Sequence, residues 1–223
     1  DLQEQARAAV TMTALRWPRL RIAWMVSDHA PLAMHAALIA ARSSVTDAGL
    51  VPGFVEAFAG RCWSGAWAPS VAGLSRPGPT AGQYLRSFLP GSHFLISWAP
   101  RAQIGRPETV SSFARRDVPR MLLVDEPGLS PAVSAQLAEA TGAIAVRPYP
   151  LPGSWSGVVR VRGATQLALV PADPTTTRVR AVAGCPHCGV RVAGAVCPYC
   201  HVVASPLPPE VIRLAEPFDA GVP

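Results

Sequence analysis

Four of the five cysteines in this 223-residue chain fall in two Cys-x-x-Cys pairs, Cys185-Pro-His-Cys188 and Cys197-Pro-Tyr-Cys200, separated by eight residues. Two thiolates at this spacing bind one ion from a tight turn, and two such turns joined by a short hairpin bring four sulfurs into a tetrahedron. Proline shapes each turn, and Gly189 lets the backbone fold back beneath the first one. The fifth cysteine, Cys62, stands alone beside Trp63. Such pairing argues against a disulfide framework and for a metal in a reducing compartment. The expected cofactor is one zinc ion; iron in the same four-sulfur cage and a redox dithiol are the alternatives. Because Cys185, Cys188, Cys197 and Cys200 fill every position, no place remains for a reactive water, and the metal is expected to be structural. His187 and His201 are spare ligands expected at the surface.

CPHCG and CPYC resemble the two knuckles of a zinc ribbon. The resemblance spans about residues 178–203, and His201 stands where a ribbon usually has glycine after its second knuckle. It implies a small metal-held β-module, and ribbons contact nucleic acid, contact protein, or staple a terminus.

Charge bears on that choice. The chain carries twenty cationic residues, all arginine, against fourteen acidic ones, a formal charge of +6. Six of the arginines and one acid, Asp173, fall between Arg147 and His201, so the surplus belongs to the region of the cysteines. Arg160 and Arg162 share one strand face if that stretch is extended, as do Arg178 and Arg180 on the stretch entering the first knuckle. With Arg191 on the ribbon hairpin they form a candidate nucleic-acid stripe, since guanidinium forks match phosphate geometry. Trp155, Tyr149 and Tyr199 offer stacking surfaces. A solvated arginine face is the alternative. The absence of lysine excludes, within this chain, a P-loop NTPase, a kinase-type lysine site and Schiff-base chemistry. At 49% apolar and 15% charged residues the chain is no disordered tail.

Ahead of the cysteines the pattern predicts an α/β domain. Residues 1–17 read as an N-terminal helix stopped by Pro18. Residues 18–150 read as a Rossmann-like parallel-sheet domain: strands at Leu20–Val26, His93–Trp98, Met121–Asp125 and Ala143–Val146 alternate with helices opened by Pro31, Pro107 and Pro131. A long Gly/Pro loop is expected over 60–82. A β-hairpin segment follows over 151–177, with arms Val158–Val161 and Gln166–Val170. Thr176–Val182 is expected as a strand running into the ribbon at 178–203, and 204–223 as a Pro-rich tail. Asp1 rather than Met opens the chain, which leaves processing or an upstream stretch open.

Loops at the carboxyl ends of parallel strands form ligand crevices. Asp28 and His29 follow the first expected strand, and Asp125 and Glu126 the third, so these four are the candidate catalytic groups; capping of the next helix is the bland alternative. No GxGxxG or GxSxG motif follows any expected strand. Cys62 is a nucleophile candidate or a small buried hydrophobe. Whether the chain is an enzyme stays open, with the weight against it. The leading expectation is a non-catalytic zinc-ribbon protein that binds nucleic acid or docks within an assembly handling it. The alternatives are an assembly subunit whose ribbon makes protein contacts, and an enzyme acting on a nucleotide-like ligand. No uninterrupted apolar run reaches about 18 residues, so a cytoplasmic protein without membrane contact is expected.

Overall fold

A computed structural model describes residues 2–17, 22–23, 25, 27–106, 118–125, 128–151 and 163–207. The backbone divides into two units: one contains His29–Ser44 and Ala57–Thr177, the other Asp1–Asp28, Val45–Glu56 and Arg178–Pro223.

The first unit holds a six-stranded sheet. Its strands are β1 (Trp63–Ala68), β2 (Phe94–Ala99), β3 (Gln103–Gly105), β4 (Arg120–Val124), β5 (Ala145–Pro148) and β6 (Thr165–Pro171), in the order β3-β2-β1-β6-β4-β5. Only β4 and β5 run parallel; every other neighbouring pair is antiparallel. The sheet is therefore mixed, which corrects the parallel Rossmann-like expectation. The reason lies in the connections. A parallel pair needs a crossover, and between β4 and β5 the helix α5 (Pro131–Thr141) supplies it. The link from β2 to β3 is three residues, room only for an antiparallel turn.

Helix α5 forms where the sequence signals it. The Ser130 hydroxyl accepts the Val133 N–H, Pro131 opens the first turn, and Gly142 closes the helix at φ 63°. Its Leu137 packs with Trp63, Leu95, Leu122, Val124, Leu167 and Leu169 on one face of the sheet. Another helix, α2 (Pro31–Ser44), buries Leu32, Ala33, Ala36, Ala37 and Ala41 and packs on β6 and β1. These small side chains suit strands whose alternate positions are also small, Ser64, Ala66 and Ala168 among them.

Three strands differ from the sequence reading, and one of them, β3, falls where no strand is expected. β1 lies inside the stretch expected as the loop 60–82. Its Gly65 is required there, because a Cβ would collide with the Ile96 carbonyl oxygen and would stand 2.7 Å from the Trp63 indole. β6 is buried along its whole length and pairs with β1 on one side and β4 on the other. The other expected hairpin arm, 158–161, lies outside the described residues, as do the expected helix opened by Pro107 and the tail from 208. Of Leu20–Val26, Ile22, Ala23 and Met25 are described, and none lies in a strand.

In the second unit α1 spans Leu2–Arg16. A three-stranded antiparallel sheet comprises β7 (Ala183–Gly184), β8 (Arg191–Val192) and β9 (Ser205–Pro206), in the order β8-β7-β9. Thr176–Val182, expected as a strand, is instead a 3₁₀ turn ending at Thr176 and then irregular chain up to β7. Helix α3 (Val51–Ala59) begins in this unit and ends in the other. Among the described residues no helix is long and apolar enough to cross a membrane.

Candidate metal centre

The cysteines converge because two turns are built alike. The Cys185 N–H donates to the Val190 carbonyl (2.9 Å), and the Gly189 N–H returns to the Cys185 carbonyl (2.9 Å). Twelve residues on, the Cys197 N–H donates to the Val202 carbonyl (3.0 Å), and the His201 N–H returns to the Cys197 carbonyl (2.9 Å). Gly189 closes the first turn at φ 72° and His201 closes the second at φ 54°. Histidine thus occupies the left-handed conformation that glycine takes without steric cost.

The four sulfurs of Cys185, Cys188, Cys197 and Cys200 all lie within 4.8 Å of one another. The Cys188 and Cys197 sulfurs are 3.7 Å apart, far beyond a disulfide bond. A tetrahedron with metal–sulfur bonds of about 2.3 Å has edges of about 3.8 Å, so this separation is that of two ligands on one ion. Cys185 and Cys197 are buried, and Cys188 and Cys200 are half-buried. Together these four cysteines are arranged to bind a metal ion.

Electrostatics leads to the same requirement. Backbone N–H groups of Cys188 and His187 point at the Cys185 sulfur and hold its thiol down at about 6. Cys200 is pushed up to about 12, first by its hydrogen bond with Cys188, then by burial and by the Cys197 and Cys185 sulfurs. Four sulfurs this close cannot all ionise without a cation between them.

A short segment braces the turns. The Asp47 carboxylate accepts the Gly49 N–H at the start of the 3₁₀ turn Ala48–Leu50, and its other oxygen lies 3.2 Å from Arg191 Nε. The Tyr199 hydroxyl donates to the Ala48 carbonyl at 3.0 Å. At Gly49 a Cβ would collide with the Arg191 carbonyl oxygen and the Val190 side chain, and at Gly53 it would meet Ala193 at 2.6 Å. Sequence reasoning missed Asp47, Gly49 and Gly53. Their one local signal is an Asp two residues before a Gly.

The residues assigned to nucleic acid separate. Arg178 and Arg180 are exposed with half-buried Val179 between them, so their alternation survives without a strand. Arg191 is exposed but engaged by Asp47. Arg160, Arg162 and Trp155 lie outside the described residues. His187 and His201 are exposed, as expected.

The candidate catalytic groups form no described constellation. Asp28 is exposed and His29 half-buried in the bend before α2. Asp125 is buried; its carboxylate accepts the Leu151 N–H at 3.1 Å, and its own N–H donates to the Gln166 carbonyl at 3.0 Å. It holds the loop after β5. Glu126 lies outside the described residues. Tyr149, whose N–H donates to Val124, sets its ring edge-on to His35 at 5.5 Å, and burial pushes its phenol upward. Cys62 is a buried thiol that donates to the Phe58 carbonyl at 3.3 Å. Burial pushes it up to about 12 despite the nearby guanidiniums of Arg120 and Arg61, which disqualifies it as a nucleophile.

A scan of protein families and searches of characterised proteins and solved structures find no match to this chain.

Proposed function

We propose that this chain is a non-catalytic zinc-ribbon protein whose ribbon is a contact surface for nucleic acid. The carrying observation is the cluster of four sulfurs within 4.8 Å. Soft thiolates in a tetrahedron suit zinc, and four protein ligands leave the ion no open position for chemistry. The cofactor is then one structural zinc ion, held by the two pseudo-equivalent knuckles of a ribbon. Support for nucleic acid comes from residues 178–207, which contain three arginines and no carboxylate, with Arg178 and Arg180 exposed. A zinc tetrathiolate carries two net negative charges, so attraction to phosphate is local to these guanidiniums rather than a field of the whole module. A second reading, an assembly subunit that docks through its ribbon onto protein, is favoured by one feature: Val182, Val196, Val202 and Val203 are all exposed.

Filter binding of the zinc-loaded protein to single-stranded DNA and RNA at two salt concentrations separates the two. Under the first reading affinity falls steeply with salt, and Arg178→Ala with Arg180→Ala reduces the salt slope by about two. Absence of binding at low salt removes that reading and leaves the protein-docking one.

A further inference from the structure

A cavity of about 670 Å³ opens on the six-stranded sheet and shares no residue with the cysteine cluster. Trp67 of β1 and Gly105 of β3 both pair with Leu95 of β2, so they stand in one cross-strand row. Leu95 packs with Leu137 of α5, which places that row on the face α5 covers. Gly105 has no side chain and leaves the floor open. The walls come from Arg86 in the short helix α4 (Ala81–Arg86), from His93 just before β2, from Arg106 just after β3, and from Gln136 on α5.

Three properties of this lining converge on one ligand chemistry. First, among the described residues it contains two guanidiniums and an imidazole and no carboxylate. Arg86 has no acidic partner among the described residues. Second, the His93 ring stacks on Trp67, with centroids 5.5 Å apart and planes 14° from parallel. His93 Nδ1 lies 3.1 Å from the Gly91 carbonyl and donates to it when it carries the proton, which fixes the ring further. Trp67 is half-buried and His93 exposed, so the stack presents the imidazole as its outer layer, a platform on which another planar ring continues the series. Third, the volume falls in the range of small-molecule sites, roughly 300–1,000 Å³. Guanidinium forks match phosphate oxygens, and a flat aromatic surface beside them matches a base.

We propose that this cavity binds a free nucleotide, a planar base carrying a phosphate, with the base stacked on His93 and the phosphate held by Arg86. The assignment does not rest on the metal centre and survives if the ribbon binds protein rather than nucleic acid. Calorimetric titration of the full zinc-loaded chain tests it, with AMP and GMP against adenosine and inorganic phosphate. Both nucleotides are expected to bind at least tenfold more tightly than adenosine or phosphate alone. Arg86→Ala and His93→Ala change exposed side chains, so the fold is retained, and each is expected to weaken the nucleotides at least fivefold. Three results overturn the proposal: no binding of either nucleotide up to millimolar concentration, phosphate binding as tightly as the nucleotides, or nucleotide affinity unchanged in both variants.

Discussion

The sheet around the cysteines buries Ala183, Val192 and Ala204 as its apolar cluster, whereas one face of the six-stranded sheet alone buries Trp63, Leu95, Leu122, Val124, Leu137, Leu167 and Leu169. Three small side chains cannot offset the conformational entropy of ordering some thirty residues, which costs about 1–2 kcal/mol per residue for the backbone alone. The larger cluster belongs to a sheet whose central strands are buried on both faces. One region therefore folds because apolar surface leaves water, and the other is expected to fold on an ion that its four sulfurs are arranged to bind. The two should fail under different insults.

Metal removal is the largest expected effect. Chelation, or Cys197→Ser, should remove on the order of 10 kcal/mol of apparent folding free energy from the cysteine module. Trp63, Trp67 and Trp98 all belong to the six-stranded sheet, and no tryptophan lies within 178–207. With Trp17, Trp24 and Trp155 replaced by Phe, chelation should therefore abolish the amide hydrogen-exchange protection of Cys185 and Cys197 while the fluorescence of Trp63, Trp67 and Trp98 stays native. Collapse of both signals would mean that the sheet depends on the metal too. Proton linkage adds a sign. Cys200, held up at about 12 without metal, must lose its proton on binding at neutral pH, so metal affinity rises with pH. Below about 6 Cys185 is protonated as well, and the dependence steepens. A metal affinity independent of pH would contradict the thiolate cluster.

The reciprocal insult is smaller. Leu169 is fully buried in β6, and Leu169→Ala should cost about 2–5 kcal/mol of sheet stability through lost transfer energy and the cavity left behind. Denaturant midpoints followed by tryptophan fluorescence should shift accordingly, with stoichiometric metal binding unchanged.

Legibility in the sequence followed the same division. Metal ligands must recur at fixed local spacing, so the four cysteines were readable as letters. Helix α5 was readable because Ser130, Pro131 and Gly142 each act within a few residues of themselves. β1 was not, because Ser64 and Gly65 dilute its pattern, and the reason for Gly65 is the Ile96 carbonyl on another strand. Nor was the place of β6: a buried apolar run announces a strand but not its neighbours, and the antiparallel insertion between β1 and β4 is decided by tertiary packing. The brace on the metal centre was least legible of all. Asp47 meets Arg191 across 144 residues, and Gly49 is required by backbone atoms of the same distant turn.

Within the metal module the two knuckles offer the finest comparison, since they share the two backbone hydrogen bonds that close each turn and differ at the closing residue, Gly189 against His201. A side chain at positive φ costs roughly 1–2 kcal/mol. Glycine relieves that strain but loses about 0.5–1 kcal/mol through the greater freedom of its unfolded chain. His201→Gly should therefore stabilise the loaded module by at most about 1 kcal/mol, and His201→Val, β-branched and poorly suited to this conformation, should destabilise it by at least as much. Folding and metal binding are coupled here, so competition with a chromophoric chelator reads both changes, about fivefold in apparent affinity for each kcal/mol. A weaker metal affinity in the glycine variant would show that the contact His201 makes with its neighbours outweighs the strain of its backbone, and that the second knuckle is held by its histidine rather than in spite of it.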